Sequence, residues 1–181
     1  MPAGFRALGT LRHGCGLSVW RRPPMGPTAP DACLLGTDRA SGSTRFLYEV
    51  GLSSAPESLG LSDGLQLYGV YISAVVRCAP PANKPLPDEI HTCRAYLLRE
   101  WHALRPHLRV VLALGAIAHQ AAVELLGFHR QPPFQHGALH ESPTGVKLLS
   151  SYHPSQQNTF TGRLTWAMWQ AVFAEAKALM G

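Results

Sequence analysis

The sequence predicts an α/β domain with a mostly parallel sheet that carries helices on both faces. Apolar runs typical of strands alternate with segments whose apolar residues recur at helical spacing. One of these runs, RVVLAL at 109–114, is apolar throughout, as is typical of a central strand covered on both faces. Strands that alternate with helices are joined by crossovers and therefore run parallel.

The composition fits one domain with a single core. Of the 181 residues, 46% are apolar and 15% are charged, which is too little charge for a disordered chain. No apolar run reaches the roughly 18 residues that span a bilayer, so no integral membrane protein is expected. The formal net charge of +5 is compatible with a polyanionic partner and is weak evidence for one.

The first predicted helix and strand lie before the middle of the chain. Ser43–Val50 is predicted as a helix because Phe46, Leu47 and Val50 share one face. Leu67–Arg77 is rich in β-branched and aromatic residues, which favours a strand, and the prolines that follow end it.

The next predicted elements form the centre of the domain. Asp88–Leu104 has apolar residues at helical spacing and acids in its first turn, where the helix dipole favours them. Arg109–Leu114 is the buried parallel strand. Gly115 then permits a tight turn into a helix that runs to Leu126 and stops at Gly127.

The C-terminal third is predicted to hold one further strand and a terminal helix. Residues 127–145 are predicted to form a loop or an irregular strand. Val146–Tyr152 is predicted as a strand, and Leu164–Met180 is predicted as a helix with one apolar face. Ligands of parallel α/β sheets bind beyond the carboxyl ends of the strands. The segments that follow predicted strands are Cys78–Pro87, the Gly115 turn and His153–Thr165.

Asn83 lies in the first of these segments, among prolines that stiffen its backbone. An amide side chain can match both a donor and an acceptor on one edge of a nucleobase. The alternative is an asparagine that serves only the turn.

The polar segment His153–Thr165 follows the last predicted strand directly. A histidine at the carboxyl end of a parallel strand can donate a hydrogen bond to a developing oxyanion. The small polar residues after it, with Arg163 as their one cation, suit contact with a phosphate backbone. The alternative is a polar connection with a helix N-cap at Thr165.

The histidines and cysteines do not show the spacing of a familiar metal site. The nine histidines include no His-x-x-x-His pair on a predicted helix, so His119, His129, His136 and His140 are interpreted as solvated or bonded to the backbone. Cys78 and Cys93 are interpreted as two buried free thiols of a cytosolic protein, which predicts a cytoplasmic location.

Four segments occur along the chain in a specific order with sensible gaps. They are CAPPANKPLPDEIHTC at 78–93, RVVLALGAIA at 109–118, PFQHGA at 133–138 and SYHPSQQNTFTGRLT at 151–165. Together they resemble the family 5 branch of the uracil-DNA glycosylase superfamily, whose second motif is His-Pro-Ser-x-x-Asn. The resemblance runs from Asp38 to the C-terminus.

The resemblance implies a three-layer α/β/α sandwich around a mostly parallel sheet of about four strands. It implies hydrolysis of the bond between a deaminated base and deoxyribose, after the base is flipped out of the DNA stack. By position, Asn83 reads the uracil edge and His153 donates to the uracil oxygen that gains charge. The Gly115 turn is expected to take a phosphate. The implied DNA-contacting residues are Pro154, Ser155, Asn158 and Arg163.

The resemblance also implies a 4Fe–4S cluster, which needs four ligands. Cys78 and Cys93 match two of the thiolates that hold it in related glycosylases. The other pair lies near the N-terminus of complete members. Cys15 and Cys33 match that pair in neither spacing nor context.

The first 36 residues depart from the family pattern. Residues 1–30 contain no Asp or Glu and no hydrophobic period, and they lack the family's first motif. Read with codons shifted by one base, Arg12–Gly36 is compatible with that motif. Our hypothesis is therefore a frameshifted translation, which the source DNA tests and which leaves the first strand missing. The alternative is an organellar transit peptide, although the segment is neither amphipathic nor Ser-rich.

The chain is accordingly divided into a non-family segment at 1–36, frameshifted or disordered, and a glycosylase-like domain at 37–181. Asp38 stands where the family has an acid suited to activate water, with a spacing after it that is one residue longer than usual. Asp38 and His153 are the candidate catalytic residues of a repair enzyme that acts on uracil-containing DNA.

Two other functions remain open beside that of a repair glycosylase. The missing first motif favours a non-catalytic DNA-binding remnant, which would bind DNA without excising bases. A Cys/His metal hydrolase needs ligand spacing that the sequence lacks. No membrane and no obligate protein partner are expected.

Overall fold

The computed structural model describes residues 32–36, 41–57, 64–76 and 86–181. Strands and helices alternate along these ranges. None of the helices in them is long and apolar enough to cross a bilayer. In chain order the elements are β1 (Ala32–Gly36), α1 (Ser41–Glu49), β2 (Val70–Ala74), α2 (Pro87–Leu104), β3 (Val110–Leu114), α3 (Ala116–Leu126), β4 (Leu139–Glu141), β5 (Lys147–Ser151), α4 (Gln156–Phe160) and α5 (Trp166–Met180).

The strands form one sheet in the order β2-β1-β3-β5-β4. β2, β1, β3 and β5 are parallel to their neighbours, and β4 pairs antiparallel with β5 at the edge. The predicted mostly parallel α/β sheet is therefore confirmed. Because β2, β1, β3 and β5 run parallel to one another, their carboxyl ends meet at one edge of the sheet.

The prediction of a missing first strand is wrong for residues 32–36. β1 pairs along its length with β2 and with β3, so that Leu34 lies opposite Ile72 on one side and Leu112 on the other. Without it, the facing edges of β2 and β3 would leave backbone N–H and C=O groups unpaired inside the domain. The apolar run ACLLG supplies these partners, because a central parallel strand tolerates an apolar run of this kind.

The residues of β3 alternate between two cores, which establishes the three layers. Val111 and Ala113 pack with the buried faces of α2 and α3. Val110, Leu112 and Leu114 pack with the buried faces of α1 and α5 on the other side. All five residues of β3 are buried, as its unbroken apolar sequence predicts.

Short elements and strand ends differ most from the sequence-based expectation. α4 lies inside the segment predicted as a polar loop, because five residues are too few to show a helical period. β4 occupies three residues of the region 127–145. β2 is shorter than the predicted Leu67–Arg77, since Leu67 instead forms an isolated bridge with Ser53.

Candidate active site at the carboxyl edge of the sheet

His153 and Gly115 come together because they follow neighbouring strands. Leu114 of β3 pairs with Ser151 of β5, and the Gly115 N–H donates to the Ser151 carbonyl oxygen at 2.8 Å. Gly115 has a φ of +93°, and a Cβ built on it would lie 3.0 Å from the Cβ of His153. Glycine suits both the backbone conformation and the close approach. His153 therefore packs directly against the backbone of the turn.

The Gly115 turn does not offer its own N–H to a phosphate. That N–H already donates to Ser151, one strand away. This hydrogen bond continues the β3–β5 ladder past the strand end, and the expectation that the turn takes a phosphate stays a prediction. In the structure, Gly115 leaves room for His153 because it has no Cβ.

Asn158 closes the segment that follows His153. Its Nδ2 donates to the His153 carbonyl oxygen at 2.8 Å, and its backbone N–H donates to Ser155 Oγ at 3.3 Å. The Leu164 N–H donates to the Asn158 carbonyl oxygen at 3.0 Å, and Leu164 is itself buried. Both ends of the segment are tied through one residue, so its backbone is pre-organised.

Tyr152 lies between the sheet and this segment and contacts several side chains. The Arg163 guanidinium carbon lies 4.6 Å from the centre of its ring. The ring of His136 stacks on the same tyrosine at 5.2 Å between centroids, and Phe134 approaches it edge-on at 6.0 Å. A guanidinium that stacks through its face keeps N–H donors at its rim for an anion.

His136 fixes the backbone directly before His153. Its Nδ1 accepts a hydrogen bond from the Tyr152 N–H at 3.3 Å, so that nitrogen carries no proton. Burial lowers the pKa of His136 below its ordinary value, against a smaller opposite effect of a hydrogen bond with the Met168 backbone. The interpretation of His136 as a backbone-bonded histidine is correct, but the sequence did not reveal its position beside His153. The PFQHGA segment was the only signal.

We expect the stability of the domain to fall in acid because of His136. In the unfolded chain this group takes up a proton near its ordinary pKa of about 6.5. In the folded chain the pKa is lower, so the group takes up the proton only at lower pH. At a pH well above 6.5 this group therefore has no effect on the free energy of unfolding. As the pH falls from about 6.5 toward the lower pKa of the folded chain, the free energy of unfolding decreases. H136Q keeps an acceptor for Tyr152 and does not titrate.

Urea unfolding between about pH 5 and pH 8 measures this effect. H136Q should lose less stability on acidification than the unsubstituted chain. The matched control is H129Q at an exposed histidine, which should leave the pH dependence unchanged. Equal slopes for all three proteins would contradict the assignment.

His119 anchors the segment that carries His136. It is almost fully buried, with Nε2 3.0 Å from the Pro132 carbonyl oxygen and Nδ1 2.8 Å from Ser150 Oγ. A carbonyl oxygen only accepts, so Nε2 carries the proton and Nδ1 accepts from the serine. His119 therefore joins α3, β5 and the segment before β4.

The chain carries no acidic residue over a long stretch of sequence around this segment, and Glu57, from a distant part of the chain, lines a cavity with Pro154 and Thr159. No Asp or Glu stands between Ser142 and Ala174. Lys147 pairs with Glu141, whereas Arg163 pairs with no carboxylate among the residues that the structure describes. The segment itself therefore brings no carboxylate that would repel a phosphate.

Three of the predicted site residues, Asp38, Cys78 and Asn83, lie outside the described residues. Cys93 lies in α2 and is buried in the core cluster shared with α3. Within the described ranges no group of three or more His, Cys, Asp or Glu side chains is arranged to hold a metal. The described thiol alone therefore does not fit a four-thiolate cluster.

The family model of the uracil DNA glycosylase superfamily matches residues 32–177. The chain belongs to this superfamily. The match confirms the resemblance, and it covers all four segments on which the resemblance rests as well as β1.

Curated relatives place the chain near the type-5 glycosylases. The type-5 uracil-DNA glycosylase of Thermus thermophilus is 44% identical over 96% of this chain and 88% of the relative. That of Mycobacterium bovis is 47% identical over 75% of this chain and 51% of its own length. That of Pyrobaculum aerophilum is 38% identical over 81% of this chain and 63% of the relative. The chain thus spans about half of the mycobacterial protein.

Proposed function

We propose that this chain is a DNA glycosylase that removes uracil or other deaminated bases from DNA. The observation that carries the proposal is His153, held against Gly115 at the carboxyl edge of the sheet. Its backbone is fixed from one side by Asn158 and from the other by Tyr152 and His136. The curated names of the relatives, type-5 uracil-DNA glycosylase, support the class of substrate.

The proposed reaction is hydrolysis of the N-glycosidic bond. The bond between the base nitrogen and C1′ breaks, water supplies the new C1′–OH bond, and the base leaves with the electron pair and then takes a proton. Charge gathers on a base oxygen as the bond breaks, and His153 donates a hydrogen bond to it. In this proposal Asn83 reads the base edge and Asp38 activates the water. The product is an abasic site.

A labelled duplex with a single uracil tests this function, since alkali cleaves the strand where a base has been lost. The chain is assayed as given and with the family's first motif restored before residue 37. Excision by either form supports a glycosylase site in 37–181. DNA binding without excision by both forms would favour the non-catalytic remnant instead.

The same pair of proteins tests the hypothesis of a frameshifted segment at 1–36. Under that hypothesis the restored form is far more active than the chain as given. The source DNA gives an independent answer. An unbroken reading frame whose third bases are incompatible with the first motif would contradict the hypothesis.

The iron–sulfur cluster is proposed only as a property of a longer or restored chain. Cys78 and Cys93 supply two thiolates where four are needed. We expect the purified 181-residue chain to be colourless or to hold iron poorly, as measured by visible absorption and by iron per chain. Addition of an upstream cysteine pair should restore colour. A stoichiometric cluster that is lost in C15S or C33S would contradict this expectation.

Arg163 is proposed to contact a DNA phosphate. Its guanidinium stacks on Tyr152 and pairs with no carboxylate among the residues that the structure describes. The N–H donors of the guanidinium are therefore available to a phosphate. We expect R163A to weaken binding about equally for different DNA sequences and to reduce the salt slope of binding by roughly one phosphate contact. R94A serves as the control, because Arg94 of α2 pairs with Glu124 of α3, away from the segment that carries Arg163. An unchanged salt slope in R163A would show that Arg163 only supports Tyr152.

A further inference from the structure

A cavity of about 320 Å³ lies beside the segment that begins at His153. Pro154, the residue after His153, forms part of its wall, and so does Thr159, which follows Asn158. Ligand pockets of proteins begin at about 300 Å³, so this cavity is large enough for one small planar group. Its position makes it a neighbour of the candidate active site.

Three of the residues that line this cavity are aromatic. Phe46 of α1 lies 4.1 Å from Trp166 and 4.4 Å from Trp169 of α5, measured between ring centroids. Phe46 and Trp169 are buried, whereas Trp166 is 46% exposed. An exposed indole at a cavity gives a planar ring a surface on which to stack.

The cavity also carries one cation and one anion. The guanidinium carbon of Arg45 lies 4.9 Å from the centre of the Trp166 ring, and Glu57 lines the same cavity. Arg45 brings N–H donors and Glu57 brings acceptor oxygens, which match the acceptors and donors on the edge of a nucleobase. A phosphate would be repelled by the Glu57 carboxylate. The lining therefore favours a neutral planar ring with polar edges over an anion.

Trp169 adds an unused hydrogen-bond donor to the same wall. Its side chain is buried, and its indole N–H has no hydrogen-bond partner among the described residues. A buried N–H without a partner is costly, so most such groups in folded proteins are paired. A carbonyl oxygen of a bound ring that reaches this N–H would remove that cost.

Arg45 leaves the exposed indole available to a ligand. Its side chain is 62% exposed, and its ion pair with Glu49 is long, at 3.6 Å. Exposed ion pairs and exposed cation–π contacts are both weak. A base can therefore replace the guanidinium on Trp166 at small cost.

We propose that this cavity binds the base of a nucleotide next to the excised one when the DNA is single-stranded. The inference rests on the proposed glycosylase function. A strand whose scissile nucleotide lies at His153 runs along the segment with Pro154 and Thr159, which brings a neighbouring base to the cavity. In a duplex that base is paired and stacked, whereas in a single strand it is free to stack on Trp166.

The first test removes the base from the DNA and needs no catalysis. A short single-stranded oligonucleotide carries a tetrahydrofuran abasic analogue at its centre. In two further oligonucleotides the neighbouring nucleotide on the 5′ side or on the 3′ side is also abasic. Fluorescence anisotropy should show that one of these two changes weakens binding about tenfold. Equal affinity for all three oligonucleotides would overturn the proposal.

Substitutions at Trp166 then connect this loss to the cavity. W166A should bind the first oligonucleotide about tenfold more weakly, and loss of the neighbouring base should have no further effect on it. W166L, which keeps apolar volume, should behave like W166A, whereas W166F should retain most of the affinity. A further tenfold loss in W166A and W166L when the base is removed would overturn the proposal.

The matched control is Y68A, because Tyr68 is 48% exposed and precedes the amino end of β2, at the opposite edge of the sheet. Y68A should bind all three oligonucleotides like the unsubstituted chain. Thermal unfolding identifies any variant that is not folded, and W166F and W166L then carry the comparison in place of W166A. A loss in Y68A equal to that in W166A would also overturn the proposal.

The second test measures kcat/KM for uracil excision from single-stranded and duplex DNA. W166L should lower this value about tenfold on a single strand that has the neighbouring base, and change it little on a strand without that base or on a duplex. Equal losses on all three substrates would overturn the proposal. Absence of excision by the unsubstituted protein, as given and with the first motif restored, would contradict the proposed function, while the binding measurements would still decide whether the cavity takes a base.

Discussion

H153A is expected to lower the rate of uracil excision by about 100- to 1,000-fold while DNA affinity changes far less. In the proposed reaction His153 donates to charge that exists mainly in the transition state, so its loss should raise the barrier without removing a ground-state contact. Its packing against Gly115 and the hydrogen bond from Asn158 to its carbonyl oxygen hold the backbone and Cβ of His153 in place before the substrate arrives. Single-turnover excision and binding to the same duplex measure the two effects separately.

Two further variants make this result specific. H153Q keeps a hydrogen-bond donor at a similar distance and should recover part of the lost rate. H129A removes an exposed histidine after α3 and should change neither rate nor affinity. If the chain as given is inactive, the form with the first motif restored is used for all variants. Equal losses of rate and affinity in H153A would argue for a binding role only.

The general architecture was predictable because it depends on local patterns. The unbroken apolar run of β3 and the helical spacing of α2 and α5 are properties of contiguous residues, and the structure confirms them. The strand at Ala32–Gly36 was not predictable in this way. Its place depends on the edges of β2 and β3 that it pairs with, and no local pattern reveals those edges. α4 was missed because one short turn of helix has no period to detect.

The site was predictable in part for the same reason. His153 follows a recognisable strand, so its place at the sheet edge could be inferred from the sequence. The support behind it could not, since His136 approaches Tyr152 from the segment between α3 and β4, which is distant in sequence. The contact between Gly115 and His153 depends on the register of β3 with β5. A shift of that register would move Gly115 away from His153 with no change in sequence.

G115A is the second substitution with a large expected effect. Gly115 has φ +93° and ψ +165°, a region that is essentially restricted to glycine. An alanine there is strained by about 1 to 3 kcal/mol whatever space surrounds it. In addition its Cβ would stand 3.0 Å from the Cβ of His153, so one of the two must move by a few tenths of an ångström. We expect both lower stability and a loss of excision of about 10- to 100-fold in the folded protein.

G127A separates backbone strain from displacement of His153. Gly127 ends the same helix, α3, in the left-handed conformation with φ +70°, and a Cβ on it would meet nothing within 4 Å. G127A should therefore lower the free energy of unfolding by about 1 to 2 kcal/mol and leave excision unchanged below the unfolding transition. Urea unfolding and single-turnover excision on both variants decide between the two causes. If G115A loses stability like G127A but keeps full activity, the contact with His153 has no part in catalysis, and the histidine is aimed by Asn158 and Tyr152 alone.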